Sequence, residues 1–296
     1  MFPAVLLYIS LINNVRDAIA NRDFATAEQQ VRTARAQNGA TPEVAVAMSW
    51  LARGALDAKS YDRADSWAAE TRKVADNLLR TRKLDADAYL PLAVGASIEV
   101  HGQVMAARGE RAESVAWLRE QAKLFAGTSI TERIRKDINL LNLEGKPAPA
   151  LEETEWLGTR PPSLASLHGH PVLLFFWAHW CGDCKGEVAI LANIQRIFGP
   201  QGLAVIAPTR LYGYVGGGAD APPAIEKPYI ERVRQQYYSA LPNMAAPLSA
   251  TNFQLYGAST TPTIVLVDSS GIVRLYHPGA ISEVELSSRI RALLKK

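Results

Sequence analysis

The sequence predicts an all-α segment followed by an α/β domain. Three observations carry that reading. Residues 1–143 are rich in Ala and Arg and poor in β-branched runs. Gly145, Pro147 and Pro149 then interrupt any helix and favour extended chain. Beyond them, apolar runs and amphipathic stretches alternate, as in a sheet whose strands are joined through helices. The expected boundaries are 1–143 for the helical domain, 144–156 for the linker and start of the second domain, and 157–296 for the second domain.

In the first domain, Val44, Met48, Leu51 and Ala55 recur at helical spacing. Thr41 supplies an N-cap and Pro42 the first helical position. Ala52, Tyr61, Ala64 and Ala68 resemble the small and aromatic packing positions of a tetratricopeptide helix pair. Phe24, Ala27, Val31 and Ala34 resemble an earlier copy, near the ~34-residue period of such repeats. A third pair is expected between Leu92 and Phe125, with Gly109 at its turn. An irregular helical bundle is the alternative.

In the second domain, Val172–Trp177 is a predicted strand and Cys184–Phe198 a helix. Leu203–Ala207 is the next strand, and 229–238 is helical. Strand-helix-strand order implies a parallel pair with a right-handed crossover. Thr263–Val267 and Ile272–Tyr276 are strands joined by Ser269-Ser270-Gly271, and Ser282 caps a last helix to Leu294.

The chemistry sits at one junction. Trp177-Ala178-His179-Trp180-Cys181-Gly182-Asp183-Cys184-Lys185 holds the chain's two cysteines, between an apolar strand and a helix. Unpaired N–H groups at a helix start stabilise an anion and push a cysteine there towards thiolate, the form that attacks a disulfide. Cys181 is therefore the expected nucleophile and the more exposed thiol. Cys184, one turn on, is the expected resolving thiol, and the pair needs no other cofactor. Asp183 opposes thiolate formation, Trp180 shields the site, and His179 either tunes the thiolate or faces solvent. A zinc site is disfavoured, because only two thiols and scattered His168, His170, His179 and His277 are on offer.

These residues resemble the thioredoxin superfamily, and more closely its TlpA/ResA-like thiol-disulfide oxidoreductases. The resemblance spans roughly 145–296. It includes Gly145–Leu151, the stretch Leu164–Phe176, and Thr261-Pro262-Thr263 before the strand Ile264–Val267. It implies a thioredoxin-like fold, a cis Pro262 facing the thiols, and an active-site role for Glu187, which lies one turn from Cys184. Glu187 would move protons for the resolving thiol; an ordinary solvated glutamate is the alternative. Departures are Gly182-Asp183 between the cysteines, without the proline common in relatives, and Val188-Ala189 after Glu187.

The implied activity is reduction of protein disulfides, with an upstream thiol reductant and a protein partner for the helical domain. Thr261 and Trp180 would border the substrate. Tyr212 and Tyr214 would join them from a mobile loop, roughly Thr209 to Lys227, that carries Gly216-Gly217-Gly218. A thiol peroxidase is one alternative. Peroxiredoxins resemble Pro-x-x-x-Thr/Ser-x-x-Cys, however, and Leu174 and Ala178 stand at those places. A helical scaffold with an incidental thioredoxin-like domain is another.

The formal net charge of +3, with both signs interspersed, gives no footprint for nucleic acid. No apolar run reaches the ~20 residues of a membrane span. Phe2–Ile12 is apolar, but no basic segment precedes it and no cleavage site is clear. The resemblance implies a bacterial cell-envelope location. Two cysteines in one motif suit that or the cytoplasm.

Overall fold

The computed structural model describes residues 4–241 and 243–294, with side chains from Leu11 onward. The beginning of the apolar Phe2–Ile12 stretch thus lies outside the described residues. The chain divides into two compact units, Met1–Asp137 and Ile138–Lys296.

The first unit is helical. It comprises α1 (Ala4–Ala20), α2 (Phe24–Asn38), α3 (Pro42–Asp57), α4 (Tyr61–Leu79), α5 (Leu90–Ala107), α6 (Arg111–Leu124) and the start of α7 (Thr131–Asn142). Each of α1 to α5 packs on the next, and α3 also packs on α1 and α5. Small residues permit this closeness. A Cβ on Gly54 would stand 2.6 Å from an Ile19 methyl, and one on Gly102 would press on Leu118 at 3.1 Å. The cap read at Thr41 is present, its hydroxyl accepting from Val44 N at 3.3 Å. Arg53, Arg133 and Lys136 gather around the Glu99 carboxylate. Beside them Asp137 is buried, with Lys136 Nζ 3.4 Å from Oδ1 but outside hydrogen-bond geometry. Burial pushes the Asp137 carboxyl up to about 8.

The second unit is built on a six-stranded mixed sheet, ordered β1-β4-β3-β2-β5-β6. The strands are β1 (Trp156–Gly158), β2 (Val172–Phe176), β3 (Ala204–Ile206), β4 (Ala245–Pro247), β5 (Thr263–Val267) and β6 (Val273–Pro278). The helices are α8 (Gly182–Gly186), α9 (Val188–Phe198), α10 (Pro223–Tyr237), α11 (Ala250–Tyr256) and α12 (Glu283–Leu294). Strand β2 is buried throughout, parallel to β3 and antiparallel to β5. Its side chains alternate between two cores. Leu173 and Phe175 face the cluster holding Leu191, Ile194, Ile230 and Leu286. Val172, Leu174 and Phe176 face the one holding Leu143, Phe253, Tyr256 and Tyr276.

Residues 145–148 run along the outer edge of the sheet beside β6. Gly145 N donates to Val273 O at 2.8 Å, and Ala148 N to Gly271 O at 2.9 Å. Three elements escaped the sequence reading: the three-residue strands β1 and β4, too short to show a period, and α11. Two predicted helices differ in extent. The one expected over 184–198 is interrupted at Glu187, and the one expected to begin at Tyr229 begins at Pro223.

Candidate active site

Register places the site. Phe176, the last residue of β2, pairs with Thr263, the first of β5. The chain leaving β2 towards the cysteines therefore passes the chain entering β5. Trp177 anchors the turn, its indole N–H donating to Ala207 O at 2.9 Å while its own carbonyl accepts from Thr209 Oγ1 at 3.0 Å.

Cys181 and Cys184 are joined by a disulfide. Cys181 is the cap of α8, and Cys184 N–H donates to its sulfur at 3.0 Å. The same sulfur lies 3.4 Å from the carbonyl oxygen of Thr261, which precedes a cis bond to Pro262. Both cysteines are buried, and Cys181 reaches the surface by only 3%. The expected contrast in exposure is thus slight, because the Thr261 carbonyl stands against the Cys181 sulfur at 3.4 Å. Trp180 itself is 49% exposed and forms the rim.

Glu187 lies at the break between α8 and α9 and is 5% exposed. The backbone N–H of Ile281 donates to its carboxyl, while Oε2 is buried without a hydrogen-bond partner. Burial raises its affinity for a proton and Asp183 adds to that, against the Ile281 hydrogen bond and the field of His277. A solvated helix-start glutamate is not what this environment describes. Lys185 Nζ stands 4.4 Å over the Tyr237 ring, and Thr261 Oγ1 is buried without a partner.

His179 does not face solvent. It is 2% exposed, ringed edge-on by Tyr212, Tyr214 and Tyr229 at 5.3 to 5.5 Å. Burial lowers its basicity, Glu226 opposes that, and Lys185 adds to it. The loop over 209–227, expected to be mobile, is tied to the domain by buried Glu226, whose two oxygens accept from Tyr212 N at 2.6 Å and Gly213 N at 2.8 Å. Tyr212 meets Trp180 at 5.6 Å, whereas Tyr214 turns inward to His179. Gly216 sits against Tyr229, where an added Cβ would come within 2.8 Å of its hydroxyl. Glu226 was missed: in sequence it is one polar residue on an amphipathic helix. Among the described residues, no group of three or more His, Cys, Asp or Glu side chains gathers as metal ligands.

A sheet of this order, with a Cys-x-x-Cys disulfide at a helix start beside a proline loop, makes the second unit a thioredoxin-like thiol-disulfide oxidoreductase domain. Within that class, residues 145–209 match the model of the AhpC/TSA family. The chain is similar to the thiol:disulfide interchange protein DsbE of Yersinia pestis, 28% identical over 156 residues, which cover 52% of this chain and 74% of the relative. It is also similar to the thiol-disulfide oxidoreductase ResA of Bacillus subtilis, 41% identical over 66 residues, or 22% of this chain and 35% of that one. A solved thiol:disulfide interchange protein of the thioredoxin family from Chlorobium tepidum is 18% identical, covering 51% of this chain and 97% of that chain, at a TM-score of 0.40.

Proposed function

We propose that the chain reduces disulfides in protein substrates, with Cys181 attacking and Cys184 resolving. The observation that carries this is the Cys181 sulfur, held between the Cys184 N–H at 3.0 Å and the Thr261 carbonyl at 3.4 Å. An N–H aimed at the sulfur favours thiolate in the reduced protein. The Thr261 backbone, beside that sulfur, is what an extended peptide bringing its disulfide there would meet, while the Pro262 carbonyl accepts from Gly279 N at 2.7 Å.

The Cys181 thiolate attacks one sulfur of the substrate disulfide. That S–S bond breaks, a mixed disulfide forms, and the first substrate thiolate leaves and takes a proton from solvent. Cys184 gives its proton to the Glu187 carboxylate and attacks the Cys181 sulfur. The mixed disulfide breaks, the second substrate thiolate leaves with a proton returned from Glu187, and the Cys181–Cys184 disulfide remains. Two electrons have passed to the substrate. An upstream dithiol restores the reduced pair and is itself oxidised to a disulfide. Trp180, Thr261 and Tyr212 border the approach, with Tyr214 behind them.

The helical unit, read as stacked repeat-like hairpins, would bind a protein that brings substrate or reductant. We place the activity in the cell envelope. No helix among the described residues is long and apolar enough to cross a membrane. Insulin reduction by the dithiol-supplied protein tests the reading. Turnover lost in Cys181→Ser supports it, and turnover unchanged in that variant overturns it. The match to the AhpC/TSA model raises the peroxidase alternative, but Leu174 and Ala178 supply no hydroxyl beside the thiol. Peroxide consumption by the reduced protein is the control.

A further inference from the structure

Between β3 and α10 the chain makes a long excursion beside the cysteines, and a buried carboxylate fastens it. Glu226 is 0% exposed. Burying a carboxylate is costly unless it is well hydrogen-bonded. Here the compensating donors are backbone N–H groups of the excursion itself, Tyr212 N at 2.6 Å and Gly213 N at 2.8 Å. Gly213 takes a left-handed backbone, φ 84°, that lets successive amides converge on one anion. The third neighbour is His179, with Nε2 3.5 Å from Glu226 Oε1. His179 lies on the turn that delivers Cys181, two residues before it. Its ring is enclosed by Tyr212, Tyr214 and Tyr229. One buried charge thus fastens the excursion and adjoins the turn carrying the nucleophile.

The consequence falls on Tyr212. With its amide held by Glu226, its ring lies edge-on to half-exposed Trp180 at 5.6 Å and to Phe253 at 6.4 Å, and Arg210 stacks on it at 5.1 Å. Tyr212 thus adjoins Trp180, the half-exposed residue immediately before Cys181.

We propose that Glu226 is a positioning residue, packed against His179, that holds Tyr212 as a preformed wall selecting protein over small disulfides. The inference rests on the protein-disulfide reading above and adds the residue that sets the preference. A small disulfide needs only the sulfur. A folded or extended polypeptide must also fit between Trp180, Tyr212 and the Thr261 loop, so displacing Tyr212 changes its binding first.

The experiment compares kcat/KM for insulin with that for bis(2-hydroxyethyl) disulfide, using the full chain. The ratio is expected to fall at least tenfold in Glu226→Ala, through KM for insulin. Glu226→Gln, which keeps one acceptor oxygen, should lie between. Tyr212→Ala should lower the ratio equally, and the double variant no further, because Glu226 acts through Tyr212. If Glu226→Ala does not fold, the Gln and Tyr212 variants carry the test. An unchanged ratio, equal losses on both substrates, or additive effects in the double variant would overturn the proposal. Absence of insulin turnover by the unaltered protein, with the small disulfide still reduced, would sink the protein-substrate reading itself and this inference with it. An unchanged ratio with active unaltered protein sinks this inference alone.

Discussion

The Cys184 N–H donates to the Cys181 sulfur at 3.0 Å, so the residue expected to resolve also holds the sulfur expected to attack. The donor is backbone, and it survives any substitution of the Cys184 side chain. Cys184→Ser should therefore keep a reactive Cys181 and accumulate mixed disulfides with its clients, while Cys181→Ser should fall to background turnover. Non-reducing gels of cells expressing the serine variant read this directly, and the compartment of the trapped clients gives the location. If only small thiols are captured where a known thioredoxin-type trap captures proteins, the substrate class is wrong.

Glu187 gives a pH-dependent prediction. Its carboxyl in the folded chain holds a proton more tightly than the ordinary value of 4.5, chiefly through burial. Stability from the protonated form is fully present below that ordinary value and is lost as pH rises through the folded one. Glu187→Gln, neutral throughout, should flatten the stability profile over that window and exceed the parent at neutral pH. Its turnover should fall roughly 10²-fold, the lower end of what a positioned proton carrier contributes. Urea midpoints and rates measured across pH check both. An unchanged rate profile would return Glu187 to a structural role.

Where the redox unit begins can be tested by truncation. Leu143 is buried among Leu174, Phe176 and Tyr276, Asn139 Nδ2 donates to Leu255 O at 3.3 Å, and Glu144 Oε1 accepts from Tyr276 N at 3.1 Å. A fragment starting at Gly145 loses all three. Burying a leucine contributes about 2 kcal/mol, so a fragment starting at Thr131 should melt roughly 4–8 °C higher. Both should still reduce small disulfides. Equal melting temperatures would show that these contacts contribute nothing to stability.

Asp137 predicts an alkaline weakness in the helical unit. Its carboxyl is pushed up from 3.8 to about 8 by burial. The stability of the protonated form is fully present below 3.8 and is lost progressively as pH rises from there through about 8. Asp137→Asn should match the parent at acid pH and be the more stable at alkaline pH. Thermal unfolding by circular dichroism in both ranges decides it; a parallel loss in both proteins would remove Asp137 from the account.

What the sequence determined by itself was local. The buried strand Val172–Phe176, the Cys-x-x-Cys turn after it and the N-caps at Thr41 and Ser282 involve partners within a few residues. Short-range periodicity and side-chain chemistry suffice to read these. The pairing of Phe176 with Thr263 was reachable only through resemblance to known proteins, since no local signal links positions so far apart. Tertiary structure alone decided the rest. His179 looked like a residue at a helix approach and is buried, because Tyr212, Tyr214 and Tyr229 come from elsewhere to enclose it. Glu226 looked like one polar residue of a helix and is the anchor of a loop, because the amides it holds lie a dozen or so residues upstream, across a turn. A carboxylate's environment is set by whatever the fold brings against it, and that depends on contacts that neither its own helix nor its neighbours in sequence encode.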